Sequence, residues 1–238
     1  MTRPDRELRA VPDGPLALLE LGVVPYREAW DLQRHLVAER NAERIPATLV
    51  LLEHPPVYTL GRRARHDHVL LSERDRATAG IDLVEVDRGG DVTYHGPGQL
   101  VAYPVVRLAG PRTVVDYVRT LEGAAIAAAA ALGVAAERRE GLTGVWVGRE
   151  KLVAIGVRVA AGGITSHGLA LNVAPDLRHF GGIVPCGLDG EGVCSLATLG
   201  RDPGMPAARR ALASALAAAL GADLVPAATA GLPATVTA

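Results

Sequence analysis

One lysine, two cysteines and a glycine-dense stretch carry the chemistry this chain offers. Among its 25 lysine and arginine residues, Lys151 is the only lysine. Arginine stays charged in a folded protein, whereas a lysine amine can lose its proton when desolvated or set beside another cation. Keeping one lysine among arginines points to an amine that must titrate or act as a compact donor, although one codon escaping a coding bias would look the same. Cys186 lies between Pro185 and Gly187, in a loop with Gly181, Gly182 and Gly190, so its sulfur is uncrowded. Cys194 sits in the apolar frame GVCSLATL, where a small buried cysteine belongs. Of the two, Cys186 is placed as a nucleophile, reactive as its thiolate, and Cys194 as filler; inert packing is the alternative for Cys186.

The stretch DRGGDVTYHGPGQLVAYP (87–104) is the densest in glycine. Glycines let a backbone approach a ligand closely and expose N–H donors. Thr93, Tyr94, His95 and Gln99 add polar side chains; a plain connection between strands is the competing reading. His66 and His68, with His54, could suggest a metal, but two histidines two apart with no clear third ligand read as polar surface, and no metal site is expected. The basic run GRRARH (61–66) reads as a solvated loop able to meet an acidic partner.

These stretches must be held by elements the pattern allows to be placed. Residues 26–44 put Tyr26, Ala29, Trp30, Leu36 and Val37 on one helical stripe. Strands are expected at 48–54, 57–61, 82–90, 99–108, 145–147, 151–160 and 164–174, with Gly162-Gly163 turning the last pair into a hairpin. Pro104 suggests that its strand is an edge or bulged. Helices are expected at 113–133, ended by Gly133, and at 206–221. Strands joined by hairpins as well as helices favour an α+β fold over a doubly wound sheet. The length suits a single domain over 15–224, with 1–14 and 225–238 as loose termini. A net charge of −1 gives no bulk basicity for nucleic acid. No signal peptide and no membrane-spanning run is evident, and two cysteines do not make a disulfide scaffold, so a soluble protein of the reducing cytoplasm is expected.

Taken together, the motifs resemble the lipoyl(octanoyl) transferase family. Arg88 to Tyr103 fill its Arg-Gly-Gly-x-x-Thr-aromatic-His-x-x-Gly-Gln-x-x-x-Tyr signature. Lys151 with Ala154-Ile155-Gly156, then Gly168-Leu169-Ala170 with Asn172, then Pro185-Cys186-Gly187 follow in family order. The likeness runs from about residue 20 to 220; Cys194, where a threonine or similar is expected, is a departure.

The resemblance implies the fold of biotin and lipoate protein ligases, a central mixed β-sheet flanked by helices. It implies transfer of an octanoyl group from acyl carrier protein, through a thioester on Cys186, to a lysine of a lipoyl domain. Acceptors would be the E2 subunits of 2-oxoacid dehydrogenases and the glycine cleavage H protein. Thioester exchange is nearly isoenergetic, so no cofactor is called for. In this picture the Lys151 ammonium favours the Cys186 thiolate, where one to two pKa units are worth about 1.4–2.7 kcal/mol. The deprotonated amine then accepts a proton from the incoming lysine, a role closed to arginine. Arg88, Gly89, Gly90, Asp91, Val92, Thr93, Tyr94 and His95 are expected to line the acyl pocket, with Ala154, Ile155, Gly156, Gly168, Leu169 and Ala170 completing its wall. The rival is an ATP-dependent lipoate or biotin ligase of the same fold, which would not need Cys186 and would be expected to carry a further lysine for its nucleotide.

Overall fold

Spacing of three and four residues between Tyr26, Ala29, Leu32, Gln33, Leu36 and Arg40 buries one face of the first helix. It belongs to a chain that a computed structural model describes at residues 14–108, 113–184 and 191–228. The order is β1 (Leu16–Val23), α1 (Tyr26–Asn41), β2 (Ala47–Glu53), β3 (Val57–Leu60), α2 (Glu73–Thr78), β4 (Asp82–Glu85), β5 (Val92–His95) and β6 (Gln99–Val105). There follow α3 (Val114–Ala131), β7 (Glu137–Arg139), β8 (Leu142–Val147), β9 (Glu150–Val159), β10 (Thr165–Asn172), β11 (Gly192–Val193), α4 (Gly204–Leu220) and β12 (Leu224–Pro226).

The large sheet runs β12-β1-β2-β6-β10-β9-β8-β7, with β11 beside β9, and is mixed: β12, β1 and β2 are parallel, while β2, β6, β10, β9, β8 and β7 alternate in direction. A small sheet, β4-β3-β5, stands apart. Leu49, Leu51, Leu100 and Leu171 face the alanine-rich α3 and α4, which pack through Ala124, Ala125, Ala128, Ala208 and Leu212. Val50, Leu52, Val101 and Ala170 face α1. The fold is therefore α+β, a mixed sheet flanked by helices, as expected.

The helix caps follow local chemistry. Thr113 and Asp116 form a reciprocal capping box at the start of α3, and Gly221 closes α4 with φ 71°. Pro104 is not on an edge: β6 lies inside the sheet. A proline is tolerated there because the β10 ladder stops at Ala102, and Thr165 bridges the gap by donating to Pro104 O (2.7 Å) and accepting from Val106 N (3.0 Å). Nor is the tail loose from 225, since Val225 and Pro226 pair with Ala17 and Leu18. Among the described residues no helix is long and apolar enough to cross a membrane.

Candidate active site

A cavity of about 520 Å³ opens between β9, β10 and the glycine-rich segment before β5. Glycines make this approach possible. Gly89 N donates to Val157 O at 2.9 Å, docking the Arg88-Gly89-Gly90 loop on β9. A Cβ on Gly156 would meet Gly89 O at 2.9 Å and Arg88 Cδ at 3.1 Å; one on Gly61 would meet Gly90 O at 2.5 Å. Arg88 is buried, and its guanidinium donates to Thr59 O (2.6 Å) and Thr59 Oγ1 (2.8 Å). The loop is thus threaded between β3 and β9 with no space for side chains on either side.

Below the loop lies a buried polar wall. Gln99 Nε2 donates to Tyr94 O and Asn172 Oδ1, so Gln99 Oε1 accepts from His95 Nδ1 at 2.6 Å and leaves His95 Nε2 as an acceptor. Burial, helped by neighbouring His54, holds the His95 pKa well below 6.5. His54, fully buried, donates from Nδ1 to Val24 O and accepts at Nε2 from the Tyr103 hydroxyl, each at 2.7 Å; burial lowers its pKa to about 4. Burial pushes the Tyr26 hydroxyl up to about 12 and the Tyr103 hydroxyl well above its usual value. His167 donates from Nε2 to Asp87 Oδ1 at 2.7 Å, and its Nδ1 faces Tyr26 Oη at 3.4 Å. Burial lowers the His167 pKa despite Asp87. Burial raises the Asp87 pKa, but the His167 hydrogen bond, with the charges of His167 and Arg158, brings the carboxyl below its usual value. At neutral pH the imidazoles and phenols of this wall are uncharged; Val101, Ile155, Leu169 and Ala170 add apolar lining, and Arg63, Arg88, Asp91 and Lys151 add charged groups. The uncharged, apolar part of the cavity suits an aliphatic group.

Lys151, the sixth residue before Val157 on β9, lines the same cavity and is 9% exposed. Its carbonyl accepts from Cys194 N at 3.1 Å, and Val193 of β11 lies beside it in register. Cys194 is buried, its thiol pushed up to about 12 by burial and then by Glu150, which makes it inert filler. Pro185, Cys186 and Gly187 lie outside the described residues. The flanks of that segment are fixed: Val184 N donates to His68 O at 2.8 Å, and Glu191 accepts from Arg139 at 2.5 Å.

Residues 25–217 match the lipoyl protein ligase A/B catalytic domain family. The chain belongs to this family. Among curated relatives, the octanoyltransferase of Chloroflexus aurantiacus is 53% identical over 189 residues, covering 78% of this chain and 85% of the relative. That of a Roseiflexus species is 47% identical over 216 residues, covering 89% of each. The fold is also that of the bipartite lipoate protein ligase of Thermoplasma acidophilum, with a TM-score of 0.69 at 19% identity, covering 91% of this chain and 87% of that one.

Within this lipoyl ligase A/B domain, Arg88, Gly89, Gly90, Asp91, Val92, Thr93, His95, Ala154, Ile155, Gly156, Gly168, Leu169, Ala170 and Lys151 all line the cavity. Tyr94 does not close its side: it packs into the small-sheet core, edge-on to Tyr58 (5.9 Å) and Phe180 (5.2 Å), because alternation along β5 turns it away from Thr93 and His95. Tyr26, Tyr103 and His167 were not anticipated as site residues. His167 adopts φ 57°, a left-handed conformation rare outside glycine, held by Gln33 Oε1 on its N–H (2.6 Å) and Asp87 on its ring. Its place beside the Gly168-Leu169-Ala170 motif was the one signal available.

Proposed function

We propose that this chain is an octanoyltransferase of lipoate assembly, moving an octanoyl group from acyl carrier protein to a lysine of a lipoyl-bearing protein. The carrying observation is the cavity, apolar over much of its wall, that the chain's only lysine also lines, in a chain about half identical to octanoyltransferases. In the first step the Cys186 thiolate attacks the thioester carbonyl. A new thioester forms on Cys186, and the carrier's thiol leaves after taking up a proton. In the second step the acceptor lysine, as free amine, attacks that thioester; an amide forms, the attacking amine's proton passes to Lys151, and the sulfur returns as the Cys186 thiolate. The Lys151 ammonium favours the Cys186 thiolate in the first half and gives the departing carrier sulfur its proton; the amine so formed accepts the incoming amine's proton in the second. The β11 pairing that sets Val193 beside Lys151, a few residues after Cys186, supports this partnership.

E2 lipoyl domains and the glycine cleavage H protein are the proposed acceptors, and a reducing cytoplasm the compartment that keeps Cys186 a thiol. Arg63 lines the cavity and Arg62 is its exposed neighbour; neither makes an ion pair among the described residues. Together they face the acidic carrier and the phosphodiester of its pantetheine arm.

The test is to incubate the protein with octanoyl-carrier protein and weigh it intact. One octanoyl adduct is expected in the wild type and none in Cys186→Ser. Lys151→Arg is expected to lose turnover; normal turnover would remove the base role. Pyrophosphate release from ATP with free octanoate, without an adduct from the thioester, would favour the ligase reading.

A further inference from the structure

A lysine has four rotatable side-chain bonds, so an Nζ that must meet one reacting group needs to be held. Two of its neighbours help hold Lys151. The first is Gly144, at φ +117°: a Cβ there would lie 3.5 Å from Lys151 Cε and 3.6 Å from Cδ, so the lysine stem runs along bare backbone of β8. The second is Trp146, directly opposite Lys151 in the β8–β9 register. Lys151 Nζ stands over its ring, 4.7 Å from the centroid. A second cation, the Arg139 guanidinium from β7, stands 5.0 Å from the same ring. Arg139 in turn donates to Glu191, so its charge is compensated and the assembly is tied to the chain just before β11.

Trp146 is an awkward choice for mere filling. It is 1% exposed, and its Nε1–H has no hydrogen-bond partner among the described residues, a loss that phenylalanine or leucine would avoid. What tryptophan adds is the aromatic face that attracts cations most strongly.

We propose that Trp146 is a positioning residue whose indole face, steadied by Arg139 and Glu191, seats the Lys151 ammonium at the acyl-binding cavity. What the seated lysine does rests on the octanoyltransferase reading; the seat itself does not.

Because Lys151 is the only lysine, protein made with lysine carrying ¹³C at Cε gives one ε-methylene resonance. Ring currents should move it upfield in the wild type, less in Trp146→Phe, and not at all in Trp146→Leu. A wild-type resonance at the free-lysine position overturns the seat, whether or not the protein transfers octanoate. In single-turnover acylation by octanoyl-pantetheine, Trp146→Leu is expected to slow the maximal rate about tenfold with half-saturation within about twofold, and Trp146→Phe to stay within about threefold of wild type. Equal losses in both variants, or a change confined to half-saturation, would reduce Trp146 to a structural residue. Should the leucine variant fail to fold, the resonances of wild type and Trp146→Phe still decide. An absence of acylation in the wild type, with the upfield resonance present, would sink the proposed reaction and leave the seat standing.

Discussion

Glu122 Oε1 accepts the backbone N–H of Gly144 at 3.1 Å, from the middle of α3 to the strand that carries the lysine's glycine. Its other oxygen takes Arg119 at 2.6 Å and Arg138 at 3.2 Å. The carboxylate is fully buried, while the two arginine side chains are 43% and 47% exposed. The group therefore clamps α3 to the β7–β8 hairpin on which Trp146 and Gly144 depend. Replacing it with alanine leaves a buried N–H unpaired and cuts both ion pairs to half-exposed arginines, a loss of about 1–3 kcal/mol. Glu122→Gln keeps an acceptor for Gly144 and should lose less. Urea unfolding of the two variants checks the order; an alanine variant as stable as wild type would show that the clamp holds nothing.

Stability should fall between pH 7 and pH 5. His54 is held down from 6.5 to about 4 in the folded protein, so over that range the unfolded chain binds the extra proton. Its contribution, about 3 kcal/mol for that gap, is complete above pH 6.5 and lost as pH drops toward 4. His95 and His167, also lowered by burial, act in the same direction. The urea midpoint should drop from pH 7 to pH 5, and the drop should shrink in His54→Asn. A flat midpoint would mean that these imidazoles are not buried neutral.

The three long helices and the β9–β10 hairpin are legible because their signals are local: a stripe at helical spacing and glycines at 133, 162 and 163, whereas the short α2 gives no such stripe. The glycine-rich loop was legible for the same reason. What escaped depends on distant pairing. β1 meets β12 from the other end of the chain, and Pro104 is tolerated inside the sheet only because Thr165 bridges its gap. Tyr26, Tyr103 and His167 come from α1, β6 and β10 and become one wall only in the folded chain. The left-handed backbone of His167 carries no composition signal, since glycine alone advertises positive φ. Tyr94 turns away from the cavity because β5 is a four-residue strand hidden inside a glycine run, and its alternation points the ring into the small-sheet core.

Gly156→Ala tests the threaded loop. Its backbone has ordinary φ, so only space opposes a methyl: Gly89 O at 2.9 Å and Arg88 Cδ at 3.1 Å are backbone and a pinned side chain. Relief requires pushing the Arg88-Gly89-Gly90 loop off β9, at about 1–3 kcal/mol in stability. Because that loop roofs the cavity, acyl transfer should fall about tenfold or more. Thermal unfolding alongside single-turnover acylation separates the two effects, and unchanged acylation would show that the loop's seat on β9 does not shape the cavity.

Charge reversal at Arg62 and Arg63 tests the proposed carrier contact. Exposed cations act mainly on encounter and weak binding, so Arg62→Glu with Arg63→Glu should raise KM for octanoyl-carrier protein about tenfold at low salt, with kcat nearly unchanged. The effect should fade as ionic strength rises, because exposed charges are screened beyond about 8–10 Å near physiological salt. Octanoyl-pantetheine lacks both the acidic protein and the phosphate, and should be used equally well by variant and wild type. Arg63 lines the cavity itself, so a loss with octanoyl-pantetheine as large as with the carrier would place these arginines in the acyl pocket and remove them from the docking face.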